Sequence, residues 1–268
     1  MTKSIQGIIF DWAGTIVDFG CMAPVAVFVD LFGEYGVNLS LSNAREPMGL
    51  AKIDHLRSLF DIGEVAEDWV NIHGAFPAEE MIHEMYRRSE ELMSLSVIKY
   101  AAPITGAYNL MEQLRSGGIK IGSTTGYSGP IMKTLTDQPV IKEIMPDCIV
   151  TSTDVPQGRP KPWMCYLNSQ IMDVYPLWQM IKIGDTVADI AEGLHAGMWT
   201  IGLTVSGNEA GLTKQEFEGM ADIEVSREHE RITSKLRIAG AHYTARGIWD
   251  CEDILEEIGL RISKGEKP

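Results

Sequence analysis

Short apolar runs alternate with amphipathic stretches along most of the chain, the rhythm of strands alternating with helices. Five runs read as strands: residues 5–11, 119–125, 148–151, 180–184 and 199–203. Helical patterns lie between the later ones, over residues 106–116, 129–135, 162–174 and 187–196. This alternation predicts an α/β fold, a Rossmann-like doubly wound parallel sheet with helices on both faces. One interval breaks the rhythm, because residues 21–99 carry only helical signals. Residues 25–35 are apolar-periodic, 50–60 are amphipathic and 66–73 follow. Pro77 then precedes a first turn holding Glu79 and Glu80, ahead of a helix running through Leu95. The expectation is a helical cap domain, residues 21–99, inserted after the first strand of a core made of residues 1–20 and 100–268. Linkers are expected near 17–22 and 97–104. Past residue 205 come a charged helix over 227–241 and a short C-terminal helix.

Composition narrows the function classes. The chain has 268 residues, 45% apolar and 22% charged, enough for one large core plus a satellite. With 37 acids against 23 bases the formal charge is -14, which argues against nucleic acid as a partner. An anionic substrate must therefore find local cations or a metal within a repelling field. Cys21, Cys148, Cys165 and Cys251 show no paired spacing, so neither a disulfide framework nor a zinc site is expected. No apolar run approaches the roughly 18 residues that span a bilayer, and no leader pattern is seen. The expectation is a reduced, cytoplasmic protein without a membrane partner.

Four pieces of the chain bring chemistry to strand ends or helix starts. Asp11 closes the first apolar run, and in an open α/β sheet ligands sit at the carboxyl ends of the strands. Thr125 and Gly126 close the second run, where a hydroxyl and exposed amides suit phosphoryl oxygens. Arg159 stands in a proline-stiffened stretch, Gly158-Arg159-Pro160-Lys161-Pro162. Asp185 and Asp189 flank a strand-to-helix turn, as hard oxygen ligands of the kind that suit magnesium. Each alone has a bland reading: a helix cap for the acids, a common turn for Thr125-Gly126, a surface charge for Arg159.

In this order the four pieces resemble the motifs of the haloacid dehalogenase superfamily of aspartate-nucleophile phosphotransferases. The resemblance implies that Asp11 attacks phosphorus, that Thr125 binds the phosphoryl group and that Arg159 fills the third-motif cation position. It also implies that Asp185 helps to bind magnesium (Mg2+), with Asp189 a ligand or a supporting acid. Ala13 is the anomaly. Phosphatases of that superfamily carry an acid there to protonate a departing alkoxide. Without it the chain is either a disabled binder or an enzyme whose leaving group needs no such proton.

Residues 47–56, Pro-Met-Gly-Leu-Ala-Lys-Ile-Asp-His-Leu, favour the second reading. Lys52 and His55 share a helical face, and a lysine with a lowered pKa can form an imine with a carbonyl. A protonated imine is an electron sink. Breaking a neighbouring C–P bond then leaves an enamine, with no oxygen to protonate. On these residues the chain resembles the phosphonatase family, the Schiff-base members of the superfamily. That resemblance implies hydrolysis of phosphonoacetaldehyde to acetaldehyde and phosphate in 2-aminoethylphosphonate degradation. It implies Lys52 as the imine-forming residue and magnesium held by Asp11, the Ala13 carbonyl and Asp185. Cys21, Met48, Gly49, His55, Gly126 and Tyr127 match supporting positions, His55 as a proton relay for Lys52. It also suggests a homodimer through cap helices, with Val25, Phe28, Val29 and Phe32 forming either the interface or the cap's own core.

Overall fold

A computed structural model of the chain describes residues 4–268. Six strands form one all-parallel sheet in the order β3-β2-β1-β4-β5-β6. They are β1 (Gly7–Phe10), β2 (Lys120–Thr125), β3 (Cys148–Thr151), β4 (Met180–Gly184), β5 (Trp199–Leu203) and β6 (Tyr243–Ala245). From β1 the connections run one way to β2 and β3, then reverse to β4, β5 and β6. The reversal opens a crevice at the carboxyl end of β1, where ligands of such sheets collect. The last three residues of β1 and all of β4 and β5 are buried hydrophobics, Gly or single buried polar residues, as expected of strands covered on both faces.

The sequence-based strands 148–151, 180–184 and 199–203 match the structure, and the other two are slightly shorter than expected. The edge strand β6 escapes the sequence pattern because three residues, two of them half-buried, carry almost no periodicity. Between β1 and β2 the chain is helical, as expected: α1 (Met22–Glu34), α2 (Leu41–Arg45), α3 (Lys52–Leu59), α4 (Gly63–His73) and α5 (Glu79–Lys99). Two details differ. The five-residue α2 was not anticipated, and α5 runs through Lys99, so the return connection starts later than residue 97. The insertion builds its own apolar cluster around Phe28, Phe32, Leu56, Leu59 and Trp69. The ends of α1 and α5 nearest the sheet, through Ala23, Val27, Met93 and Val97, join the main core cluster instead.

The α1 face proposed for a dimer is consumed within the chain: Val25, Phe28 and Phe32 are buried in the insertion's cluster, with Val29 packed partly against it. All four cysteines are buried and free. α6 (Ala107–Ser116) leads into β2, and after it come α7 (Gly129–Thr136), α8 (Trp163–Met172), α9 (Val187–His195), α10 (Lys214–Gly219), α11 (Asp222–Ile238) and α12 (Glu252–Ser263). No helix among the described residues is long and apolar enough to cross a membrane.

Candidate active site

β1 delivers Asp11 at the sheet's carboxyl edge, and its amide donates to the Ile183 carbonyl of β4 at 2.9 Å. Gly14 then turns back in the left-handed region (φ 79°), where a Cβ would lie 2.5 Å from Asp185 Oδ2 and 2.6 Å from Cys21 Sγ. Only glycine lets the loop after β1 come this close to the end of β4.

Asp185 is fully buried, and its Oδ2 accepts from the Asn208 amide at 2.7 Å and the Cys21 thiol at 3.2 Å. Burial, then the charges of Asp11 and Asp189, pushes its pKa well above the usual carboxylate range. Burial likewise raises Cys21, so the thiol stays a donor. Asp11 is also raised, by burial and by Asp189, with Arg159 opposing.

Asp189 is different. It is the third residue of α9 and closes a capping box, accepting from the Thr186 hydroxyl at 2.6 Å and amide at 3.3 Å. Lys182 Nζ lies 2.7 Å away and Arg159 Nη1 3.0 Å away. Burial would raise Asp189, but Arg159 and Lys182 override it and hold the carboxyl below its usual range.

Arg159 has a side chain only 1% exposed, and it spans the site. Nη2 donates to Asp11 Oδ1 at 2.7 Å and to the Thr124 carbonyl and hydroxyl at 2.8 Å, while Nε donates to Glu192 Oε2 at 3.0 Å. The expectation that a surface charge could sit here is excluded by this burial.

The insertion closes over these groups. A Cβ on Gly126 would lie 2.2 Å from the Leu50 carbonyl, and one on Gly49 (φ 91°) would lie 2.3 Å from Thr186 Oγ1. Arg159 Nη1 donates to the Gly49 carbonyl at 3.3 Å. Asn208 and Arg45 clasp each other, Nδ2 donating to the Arg45 carbonyl at 3.0 Å and Arg45 Nη1 donating to Oδ1 at 3.1 Å.

Lys52 opens α3 and is 6% exposed, an unusual place for a lysine with no carboxylate partner among the described residues. Its Nζ lies 3.9 Å from Met48 Sδ and 5.1 Å from the centre of the Tyr127 ring. Burial lowers its pKa to about 8, with the charge of Asp11 opposing.

One cavity gathers Asp11, Ala13, Cys21, Met48, Gly49, Lys52, Thr125, Gly126, Tyr127, Arg159 and Asp185. Of the residues expected at the site, His55 and Asp189 alone stand behind its wall. His55 is fully buried, stacked on Phe28 with ring centres 4.0 Å apart. Its Nε2 must donate to the Ala44 carbonyl, 3.1 Å away, which leaves Nδ1 as an acceptor without a partner among the described residues. Burial, with Lys52 adding to it, keeps the ring neutral. Pro24 and Thr186 line the cavity unanticipated, and Thr124, Lys182, Glu192 and Asn208 support it from outside.

Ligand atoms of Asp11, Asp185 and Asp189 lie within 4.8 Å of one another. Asp189 already has two cations, so the pair left to hold a metal is Asp11 with Asp185. The charge balance agrees. Five buried carboxylates, of Asp11, Asp18, Asp185, Asp189 and Glu192, stand against three buried cations, of Lys52, Arg159 and Lys182, which leaves a deficit that one divalent ion closes.

A family model described as haloacid dehalogenase-like hydrolase matches residues 8–203. A phosphonoacetaldehyde hydrolase from Bacillus cereus (strain G9842) is 45% identical over 254 residues, which is 95% of this chain and 96% of the relative. A phosphonoacetaldehyde hydrolase-like protein from Syntrophobacter fumaroxidans is 45% identical over 266 residues, covering 98% of this chain and 95% of its own. The crystal structure of a phosphonoacetaldehyde hydrolase-like protein from Oleispira antarctica superposes with a TM-score of 0.97 at 34% identity, covering 100% of this chain and 97% of that one. The chain thus belongs to the haloacid dehalogenase-like hydrolases and, within them, to the family of the phosphonoacetaldehyde hydrolases.

Proposed function

We propose that the protein cleaves the C–P bond of phosphonoacetaldehyde to acetaldehyde and phosphate, with Lys52 as imine former and Asp11 as nucleophile. The observation that carries this reading is the meeting of Lys52 and Asp11 in one cavity, with Ala13 where a phosphatase needs an acid. A lysine with a pKa near 8 keeps a neutral fraction of the order of a tenth at pH 7, enough to attack an aldehyde.

The amine adds to the carbonyl and water leaves, giving the protonated imine. Asp11 then attacks phosphorus as the C–P electron pair moves into the imine, forming an enamine and an aspartyl phosphate. Arg159, already 2.7 Å from Asp11, faces the equatorial oxygens where charge concentrates. Water hydrolyses the aspartyl phosphate; the enamine takes a proton at carbon, and hydrolysis releases acetaldehyde and Lys52. The Cys21 thiol and Tyr127 phenol, both held protonated by burial, close the wall around Lys52 without adding charge. Burial and the Lys52 charge hold His55 neutral behind the cavity wall, which opposes the relay role expected of it. Asp11, Asp185 and the Ala13 carbonyl would hold magnesium, which when bound neutralises phosphonate oxygens.

In the same reading residues 21–99 act as a cap that opens and closes over a core of 1–20 and 100–268, excluding water when shut. A cytoplasmic homodimer also belongs to it. With α1 occupied, exposed Leu41, Ile72, Phe76, Leu95 and Ile98 are the large apolar residues of the insertion left to meet a second copy.

The test is incubation with phosphonoacetaldehyde and magnesium, a borohydride quench and mass mapping. The expected result is an ethyl-type adduct on the peptide holding Lys52 and none in Lys52→Arg. An unmodified peptide during normal turnover overturns the reading.

A further inference from the structure

Arg159 uses every donor it has. Its Nη groups meet Asp11, Thr124, Asp189 and the Gly49 carbonyl, and its Nε meets Glu192. These contacts differ in what happens when a phosphonate arrives. The Nη edge faces the cavity and must turn its hydrogens toward the new oxygens. The Nε end faces away, toward a carboxylate that touches neither the cavity nor the nucleophile.

Glu192 sits one turn beyond Asp189 on α9 and is fully buried. Its Oε2 collects three donors: Arg159 Nε at 3.0 Å, the Thr124 hydroxyl at 2.9 Å and, at longer range, Lys182 Nζ at 3.5 Å. Thr124 Oγ1 in turn accepts from Arg159 Nη2 at 2.8 Å, so glutamate, threonine and guanidinium form a closed ring. A guanidinium is a planar fork, and its aim is set by rotation about the bond leading to Nε. Fixing Nε fixes that rotation.

We propose that Glu192 is a positioning residue that aims Arg159 at the transferring phosphorus group. A lysine in the third-motif position would need no such partner, because an ammonium has no fork to aim. The carboxylate also offsets the guanidinium's charge on the far side, so that Nη remains paired to Asp11 without a second acid entering the cavity. That Arg159 meets phosphonyl oxygens rests on the function proposed above. The ring around Nε does not.

The experiment compares Glu192→Gln with wild type in two assays, phosphate release and borohydride trapping at Lys52. Imine formation does not involve Arg159, so trapping should stay within about twofold while kcat falls on the order of 10- to 100-fold. In an Arg159→Lys background the same substitution should change kcat by less than about threefold, because the fork is gone. Three results overturn the proposal: wild-type kcat in Glu192→Gln, equal losses in both assays, or full multiplication of the two effects. Should the glutamine variant not fold, Glu192→Asp withdraws the carboxylate by one methylene and carries the same expectations. Orthovanadate binding with magnesium, read calorimetrically, serves if wild type proves inactive on the phosphonate. It should weaken about tenfold in Glu192→Gln, and unchanged binding refutes the positioning role while the failed turnover refutes only the proposed reaction.

Discussion

Replacing Lys52 with methionine should make the protein more stable as it destroys the proposed activity. Lys52 is buried beside Met48 and Tyr127, so a thioether of similar length meets apolar neighbours already in place. Its pKa falls from 10.5 to about 8 in the folded chain, chiefly because burial penalises the ammonium. At 1.36 kcal/mol per pKa unit the folded state carries a penalty of about 3 kcal/mol at pH 7, where the amine is protonated folded and unfolded. Between pH 8 and 10.5 the folded chain has lost this proton and the unfolded chain still binds it, so wild-type stability rises with pH there. The variant's advantage should therefore shrink to about 1.4 kcal/mol at pH 9.5 and vanish above the unfolded pKa. Urea unfolding of both proteins at pH 7 and 9.5, in metal-free buffer, reads this directly, since other titrating groups cancel between them. A variant no more stable at pH 7, or a gain that does not depend on pH, refutes the account of a strained amine.

The same cavity supports further expectations. Asp11→Asn should cut phosphate release by at least about a thousandfold while Lys52 is still trapped by borohydride, because loss of the nucleophile spares the imine; phosphate release near the wild-type rate removes Asp11 from that role. The initial trapping rate should rise about tenfold per pH unit up to about pH 8 and then level off, following the neutral amine, and a flat profile from pH 6 to 9 contradicts it. Ala13→Asp should move that bend to higher pH, since a carboxylate in the cavity favours the ammonium, and should bring no gain in C–P cleavage; an unmoved bend or a faster enzyme counts against the reasoning. Asn208→Ala removes both side-chain bonds to Arg45 but keeps the amide on Asp185, so KM should rise about three- to tenfold with kcat nearly unchanged. A kcat effect without a KM effect would place Asn208 with the metal site instead of the closure.

The sheet was readable because buried parallel strands are continuous apolar runs, and the acids that interrupt them mark their carboxyl ends. Asp11, Thr125 and Asp185 were legible for that reason, each the last residue of a strand or the one that follows it. Lys52 was legible only beside Ala13, since a lysine near a helix start looks solvated on its own. What the sequence hid were groups whose role depends on a partner far away in the chain. Lys182 sits in the middle of β4 and reads as a defect in an apolar run until Asp189 and Glu192 are folded back against it. Asn208 lies in a stretch with no periodicity, yet it joins Arg45 of the insertion to Asp185 of the sheet. Asp18 was silent too. Held in the left-handed region at φ 54°, it caps α1 through the amides of Met22 and Ala23, at 2.9 and 3.0 Å. The α1 face was ambiguous for the opposite reason: an amphipathic stripe records that it is covered, and only the fold says by what.

Two electrostatic problems share this cavity, and their solutions depend on each other. The neighbourhood of Asp11 must be negative enough to hold a metal, which five buried carboxylates against three buried cations, Lys52 among them, accomplish. The amine must be kept from becoming a permanent ammonium, which such a field would favour. Distance and shielding reconcile them. Arg159 and Lys182 pair Asp189 and Glu192, so the carboxylates whose charge reaches Lys52 are Asp11 and Asp18, with Arg159 opposing them. Thiol, thioether and phenol, none of them ionised, supply the remaining wall around the amine. An acid in place of Ala13 would stand on the wrong side of that screen. Its absence suits the amine's lowered pKa as much as it suits the proposed reaction, which has no oxygen leaving group.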